Sequence, residues 1–168
     1  MVQCGKTRRR GGKRVENFDY LILRQSLHRL YVRMMEPVLR QFGLTQMEED
    51  ILLFLANNPG HDTAAELVSL RSLAKSQVST SVERLVRRGY LLRQPEGRKL
   101  HLRLLPAAEE AVRQGQDSQR RFGEAIARDF SPEEQAMLYG TLARMTENAR
   151  RACRELAEGQ ESCGKERR

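Results

Sequence analysis

The sequence predicts a mainly helical fold, α+β in class, with one β-hairpin among the helices and long helices at either end. Three observations carry that expectation. Apolar residues recur at three- and four-residue spacing along most of the 168-residue chain. The period changes to two only after Gly89, where Leu100, Leu102 and Leu104 alternate with His101 and Arg103. Helix-start chemistry recurs at Thr45, Thr63 and Ser131, each followed three residues later by a glutamate.

The elements follow in order. Residues 1–15 are rich in Gly, Lys and Arg, with almost nothing to bury, and read as a disordered basic arm. From residue 16 to 42, Leu23, Leu27, Leu30, Met34 and Val38 describe a long amphipathic helix. Pro37 is expected to kink or break it, and Gly43 to close it. Thr45-Gln46-Met47-Glu48 is a capping box opening a second helix to about Ala56, which Asn57-Asn58-Pro59-Gly60 stops. Thr63-Ala64-Ala65-Glu66 repeats the box for a short third helix ending near Leu70. A fourth starts at Lys75 or Ser76, with Ser72 or Ser76 standing in for a cap at Ala74, and runs to Arg88 before Gly89.

The strand around Leu102 has its partner in residues 90–93, with residues 94–97 as the turn, and residues 43–105 form one domain. Pro106 suits the first turn of a helix reaching about Asp129. Its late apolar positions are Phe122, Ile126 and Phe130. Ser131-Pro132-Glu133-Glu134 starts the last helix, which carries Met137, Leu138, Leu142 and Met145. Residues 106–158 thus form a C-terminal helical region, and residues 159–168 a flexible polar tail.

Charge is distributed unevenly. The formal net charge is +8. Residues 1–14 hold six cations and no acid; residues 71–103 hold nine cations against Glu83 and Glu96. The rest of the chain is mildly acidic, so the excess points to a polyanionic partner rather than to general solubility. The longest apolar run, Ile51-Leu52-Leu53-Phe54-Leu55-Ala56, is far short of the roughly twenty residues a membrane helix needs. No apolar stretch follows the basic N-terminus, so no secretory signal is expected. Cys4, Cys153 and Cys163 do not make a disulfide framework. The expectation is a cytoplasmic protein.

Helices two to four with the hairpin form the order of a winged helix-turn-helix, in which the fourth helix enters the major groove and the hairpin follows the backbone. At about 3.6 residues per turn, Val78, Val82 and Leu85 share one side of the fourth helix, flanked by Val86. Ser76, Gln77, Thr80, Arg84 and Arg87 fall opposite. Hydroxyls, an amide and guanidiniums are the groups that pair with base edges and phosphates. Lys75 and Ser79 extend this set, and Arg93, Arg98 and Lys99 are expected at the hairpin tip, where a narrow minor groove attracts cations.

These residues carry a resemblance. Gly43-Leu44-Thr45 with Glu48, Ile51 and Leu52 resembles the start of the second helix in the MarR family of transcription regulators. Val78-Ser79, Val82, Leu85 and Gly89-Tyr90-Leu91 are similar to that family's recognition helix and exit. Glu96 and Arg98, with Leu104 six residues beyond Arg98, resemble its wing signature, although Glu96 stands where an aspartate is usual and Leu105-Pro106 replaces a threonine. Ser131-Pro132-Glu133-Glu134 with Leu138 and Leu142 resembles its closing helix. The resemblance covers residues 16–155.

It implies a homodimer joined through the N- and C-terminal helices, set on a near-palindromic DNA site, commonly as a repressor released by a small molecule. Independently, Phe18, Leu21, Ile22, Leu23, Leu27, Leu30, Tyr31, Met34 and Met35 make a wider apolar surface than one small domain can cover. Arg24, His28 and Tyr31 are candidates to line an effector pocket, with Arg24 as the cation for an aromatic acid. Cys153, among Arg150, Arg151 and Arg154, is a candidate redox cysteine. His28, His61 and His101 are dispersed, and no metal-ligand spacing, phosphate loop or nucleophile motif is present. No enzyme activity, metal or cofactor is expected. A sequence-tolerant architectural DNA binder and a protein–protein adaptor on the same fold stay open as alternatives.

Overall fold

The computed structural model describes residues 19–71 and 74–165, with side chains described over 19–69 and 74–156. The basic arm, residues 16–18, Ser72 and Cys4 lie outside the described residues. Two units follow one another, the first ending at Gln119 and the second beginning at Arg120.

The first unit opens with α1 (Tyr20–Phe42). The Asp19 carboxylate accepts from the Leu21 and Ile22 N–H groups at 2.9 and 3.0 Å and caps the helix there. Pro37 does not break it. Its missing N–H leaves the Arg33 carbonyl without a helical donor, but Arg33 and Pro37 are both exposed and water can replace the bond. The chain leaves through Gly43, whose φ of 58° is left-handed, and the Leu44 N–H reaches back to the Leu39 carbonyl at 2.9 Å.

In α2 (Gln46–Asn57) the Thr45 hydroxyl accepts from the Glu48 N–H while the Glu48 carboxylate accepts from the Thr45 N–H. Ile51, Leu52, Leu53, Phe54 and Leu55 are all buried, as befits a helix packed on every side. The same reciprocal bonds between Thr63 and Glu66 start α3 (Ala64–Arg71). The Thr63 hydroxyl is the main reason that the Glu66 carboxyl is held down at about 2, with His61 adding to it. Next comes α4 (Lys75–Arg87), packing Val78, Val82 and Leu85 into the core with Leu67, Leu91 and Leu102.

The hairpin pairs β1 (Leu91–Glu96) with β2 (Lys99–Leu104), antiparallel, with Leu91 opposite Leu104 and Glu96 opposite Lys99. Its turn is therefore Gly97-Arg98, three residues beyond the expected start, and Gly97 takes the required left-handed φ of 59°. Pro95 stays in β1 opposite Leu100, because in a two-stranded ribbon each strand is an edge and can spare an N–H. Thr63 bridges to His101, attaching a third short segment to β2. Pro106–Ala108 forms one tight turn before α5 (Glu109–Ile126), so the single helix expected from Pro106 to about Asp129 is divided at one end and shorter at the other.

Small residues on α5 (Ala111, Gly115 and Ser118) are buried. Gly115 is there to admit Glu49 of α2: a Cβ on Gly115 would lie 2.1 Å from Glu49 Oε1. Glu49 is fully buried and neither carboxylate oxygen has a hydrogen-bond partner among the described residues. Burial, followed by the neighbouring Asp50 charge, pushes its carboxyl up to about 7.

In the second unit α5 ends at Ile126 and Ser131 caps α6 (Pro132–Lys165), exchanging bonds with Glu134. The backbone is helical to Lys165, through the first part of the stretch read as a flexible tail. Met137, Leu142, Met145 and Leu156 are exposed along it.

Candidate nucleic-acid interface

Two features make α4 unlike α2 and α3. Its N-cap residue, Ala74, makes no side-chain hydrogen bond; Ser76 sits inside the first turn rather than at the cap. Its first turn carries no acid, so the positive end of the helix dipole is left with Lys75 alone, an arrangement that attracts anions.

Along the outer face, Ser76, Gln77, Thr80 and Arg84 line one open groove of about 350 Å³ with Thr45 and Met47 at the start of α2. Arg84 and Arg87 continue into a second groove beside Gly43 and Glu48. Of the seven expected α4 residues, five, Ser76, Gln77, Thr80, Arg84 and Arg87, are brought together along these two grooves, while Lys75 and Ser79 turn the other way. Ser76, Gln77, Thr80, Arg84 and Arg87 are exposed, and none makes a side-chain hydrogen bond or ion pair with another described residue.

Ser79 and Lys75 line a separate cavity of about 440 Å³ between α3, α4 and the hairpin. Its floor is Val68, Val78, Val82 and Leu102, and Arg93 stands at its edge. Arg93 was expected at the hairpin tip; it lies mid-strand, opposite Leu102, because the turn falls later than its Pro-Glu-Gly chemistry suggests. Arg98 and Lys99 are at the tip, exposed and unpaired among the described residues.

Two cations of the basic segment are already engaged. Arg88 donates to the Gly43 and Phe42 carbonyls at 2.9 and 2.5 Å and stacks over the Tyr90 ring, tying the end of α4 to the end of α1. Arg103 donates to Asp62 at 2.6 Å. His101 meets the same Asp62, a convergence no sequence spacing announced because 39 residues separate them.

The expected effector residues Arg24, His28 and Tyr31 all lie on α1. The Tyr31 hydroxyl accepts from Gln119 at 3.2 Å, while His28 opens on a shallow groove with Gln25, Arg29 and Arg33; Arg24 does not line it. Cys153 is a free, exposed thiol on α6. Among the described residues no three His, Cys, Asp or Glu side chains gather as a metal site requires, and no helix is long and apolar enough to cross a membrane.

Comparison with known proteins places this geometry. The model of the MarR family matches residues 42–99, from the end of α1 to the hairpin tip. A transcriptional regulator from Thermotoga maritima is 30% identical, with 79% of this chain and 94% of that one covered and a TM-score of 0.50. The chain belongs to the MarR family. Its winged-helix fold is shared with more distant structures. A MarR protein from Peptoclostridium difficile is 19% identical, TM-score 0.67, over 86% of this chain and 97% of that one. S. aureus MepR, in a complex with DNA, is 18% identical, TM-score 0.65, over 79% and 97%. Among curated proteins none matches the sequence. In this MarR-family chain the matched segment holds all ten residues read as DNA contacts, Lys75 through Lys99.

Proposed function

We propose that this chain is a transcription regulator that binds duplex DNA sequence-specifically as a homodimer and acts as a repressor. One observation carries the reading: Ser76, Gln77, Thr80 and Arg84 form a continuous outward face of unpaired donors and acceptors on a helix whose N-terminus favours anions. Such a face reads base edges, with Arg87 and Lys75 on phosphates and Arg98 and Lys99 reaching the neighbouring groove from the wing. That a protein of the same fold has been captured in a complex with DNA supports DNA as the partner.

The dimer reading is supported within each unit separately. Tyr20, Leu21, Ile22 and Leu23 are exposed at the start of α1, and Met137, Leu142 and Met145 along α6. Two copies on a two-fold axis would present two recognition helices to half-sites one helical turn apart, hence a near-palindrome. Occupation of such a site blocks access by other proteins, which is repression in its simplest form. An anionic, partly apolar effector fits the cavity bounded by Val78, Val82, Lys75 and Arg93.

Selection of bound duplexes from a random pool tests the whole reading. A palindrome bound by two chains is the expected result. Enrichment of no motif, with affinity falling equally for all sequences as salt rises, overturns specific recognition.

A further inference from the structure

Beyond the core contacts of Leu91 and Leu102, the polar bonds that hold the wing to the rest of its unit converge on one loop residue. Asp62, in the loop before α3, has a side chain only 15% exposed. Its Oδ1 accepts from His101 at 2.5 Å and its Oδ2 from Arg103 at 2.6 Å. Its backbone carbonyl accepts from the Leu102 N–H at 2.7 Å, and Thr63 beside it bridges to His101. Three consecutive residues of β2 therefore converge on a single loop residue. From the other strand, Glu96 stands 3.9 Å from both Arg103 and His101, a second carboxylate beside the same two side chains.

Outward of this point the hairpin has little to hold it: Leu92, Leu100 and residues 94–99 are exposed. A two-stranded ribbon is marginal by itself. Arg98 lies four residues beyond Leu102, about 13 Å along an extended strand, so a small tilt at the base moves its guanidinium by a side-chain length. The acid two residues before Arg98 is turned to Arg103 and His101, which leaves Arg98 unpaired.

We infer that Asp62 is a positioning residue for DNA recognition: through His101 and Arg103 it sets where Arg98 and Lys99 stand relative to α4. The inference rests on the DNA-binding reading above for its consequence, though not for its geometry. Asp62 itself contacts no nucleic acid; charge-assisted bonds to two side chains, in a part-buried setting, give it a larger hold on the wing than a neutral side chain would have.

The test uses the full-length chain carrying Asp62→Asn or Asp62→Ala, with two readouts. Amide hydrogen exchange of residues 97–104 in the DNA-free protein is expected to accelerate by about tenfold or more while α2 is unchanged. In a double-mutant cycle on the selected duplex, Arg98→Ala is expected to weaken binding about tenfold in the native background and less than about threefold beside Asp62→Asn. Hairpin exchange unchanged in both variants, or an Arg98→Ala penalty identical in both backgrounds, overturns the inference. Should no duplex be bound, the DNA reading fails by that result, and exchange alone decides whether Asp62 holds the wing. Asp62→Asn keeps shape and one acceptor, so it serves where Asp62→Ala does not fold.

Discussion

Two helices of nearly equal length, α2 with twelve residues and α4 with thirteen, pack against each other in one lobe and are built on opposite rules. The first is capped reciprocally by Thr45 and Glu48, carries acids in its first turn and is buried on nearly all sides. The second has no side-chain cap, no early acid, and a full face of unpaired polar groups. Local rules that favour stability are satisfied in α2 and set aside in α4, where the open N-terminus and free side chains are what DNA would complete. The exception within α2 is Glu49, a carboxyl in the core with no hydrogen-bond partner among the described residues.

Changes to the two helices should therefore separate stability from recognition. The largest effect is expected from Leu52→Ala, which empties a fully buried position in α2 and should lower unfolding free energy by about 2–5 kcal/mol. Denaturant titration measures it, and a smaller loss would mean that the lobe collapses around the gap. Glu49→Gln should stabilise the protein, by an amount that depends on pH. The folded carboxyl at about 7 holds its proton above the ordinary value of 4.5, so its stabilising contribution is complete below pH 4.5 and is lost as pH rises to about 7. Glutamine stays neutral throughout. The variant should match the native protein near pH 4 and exceed it at pH 8 by about 3 kcal/mol at most. Equal gains at both pH values would assign the effect to packing rather than to ionisation.

On the other helix, Arg84→Ala should cost about 1–3 kcal/mol in affinity for the selected duplex, with the melting temperature unchanged. A fall in melting temperature would show that Arg84 supports the fold. The smallest effects test the caps. Thr45→Ala should cost about 1 kcal/mol of stability, whereas Ala74→Ser should add about 0.5–1 kcal/mol by supplying what α4 lacks. Loss of duplex affinity in Ala74→Ser would be the sharpest sign that the open N-terminus takes part in binding.

Local chemistry was the most legible part of the chain. The boxes at Thr45, Thr63 and Ser131 all form, because both bonding partners lie within three residues of one another. The buried row Val78, Val82 and Leu85, and the polar row opposite, follow from helical spacing alone. Turn placement was less legible: Pro95 and Gly97 both signal a turn, and only pairing with β2 decides that Gly97 makes it and that Arg93 stays mid-strand. The break expected at Pro37 fails for a similar reason, since the cost depends on whether the orphaned carbonyl meets water.

What the sequence by itself determined is the element order, the caps and the recognition face, all products of contacts between near neighbours. Only the tertiary structure decided that Arg88 closes α1, that Gly115 makes room for Glu49, and that Asp62 gathers His101 and Arg103 at the base of the wing. Those partners are tens of residues apart, and no periodicity can pair them. They meet because burying the shared core of α2, α4 and the hairpin brings their surfaces together, and the charges then settle on whichever partner that packing leaves within reach.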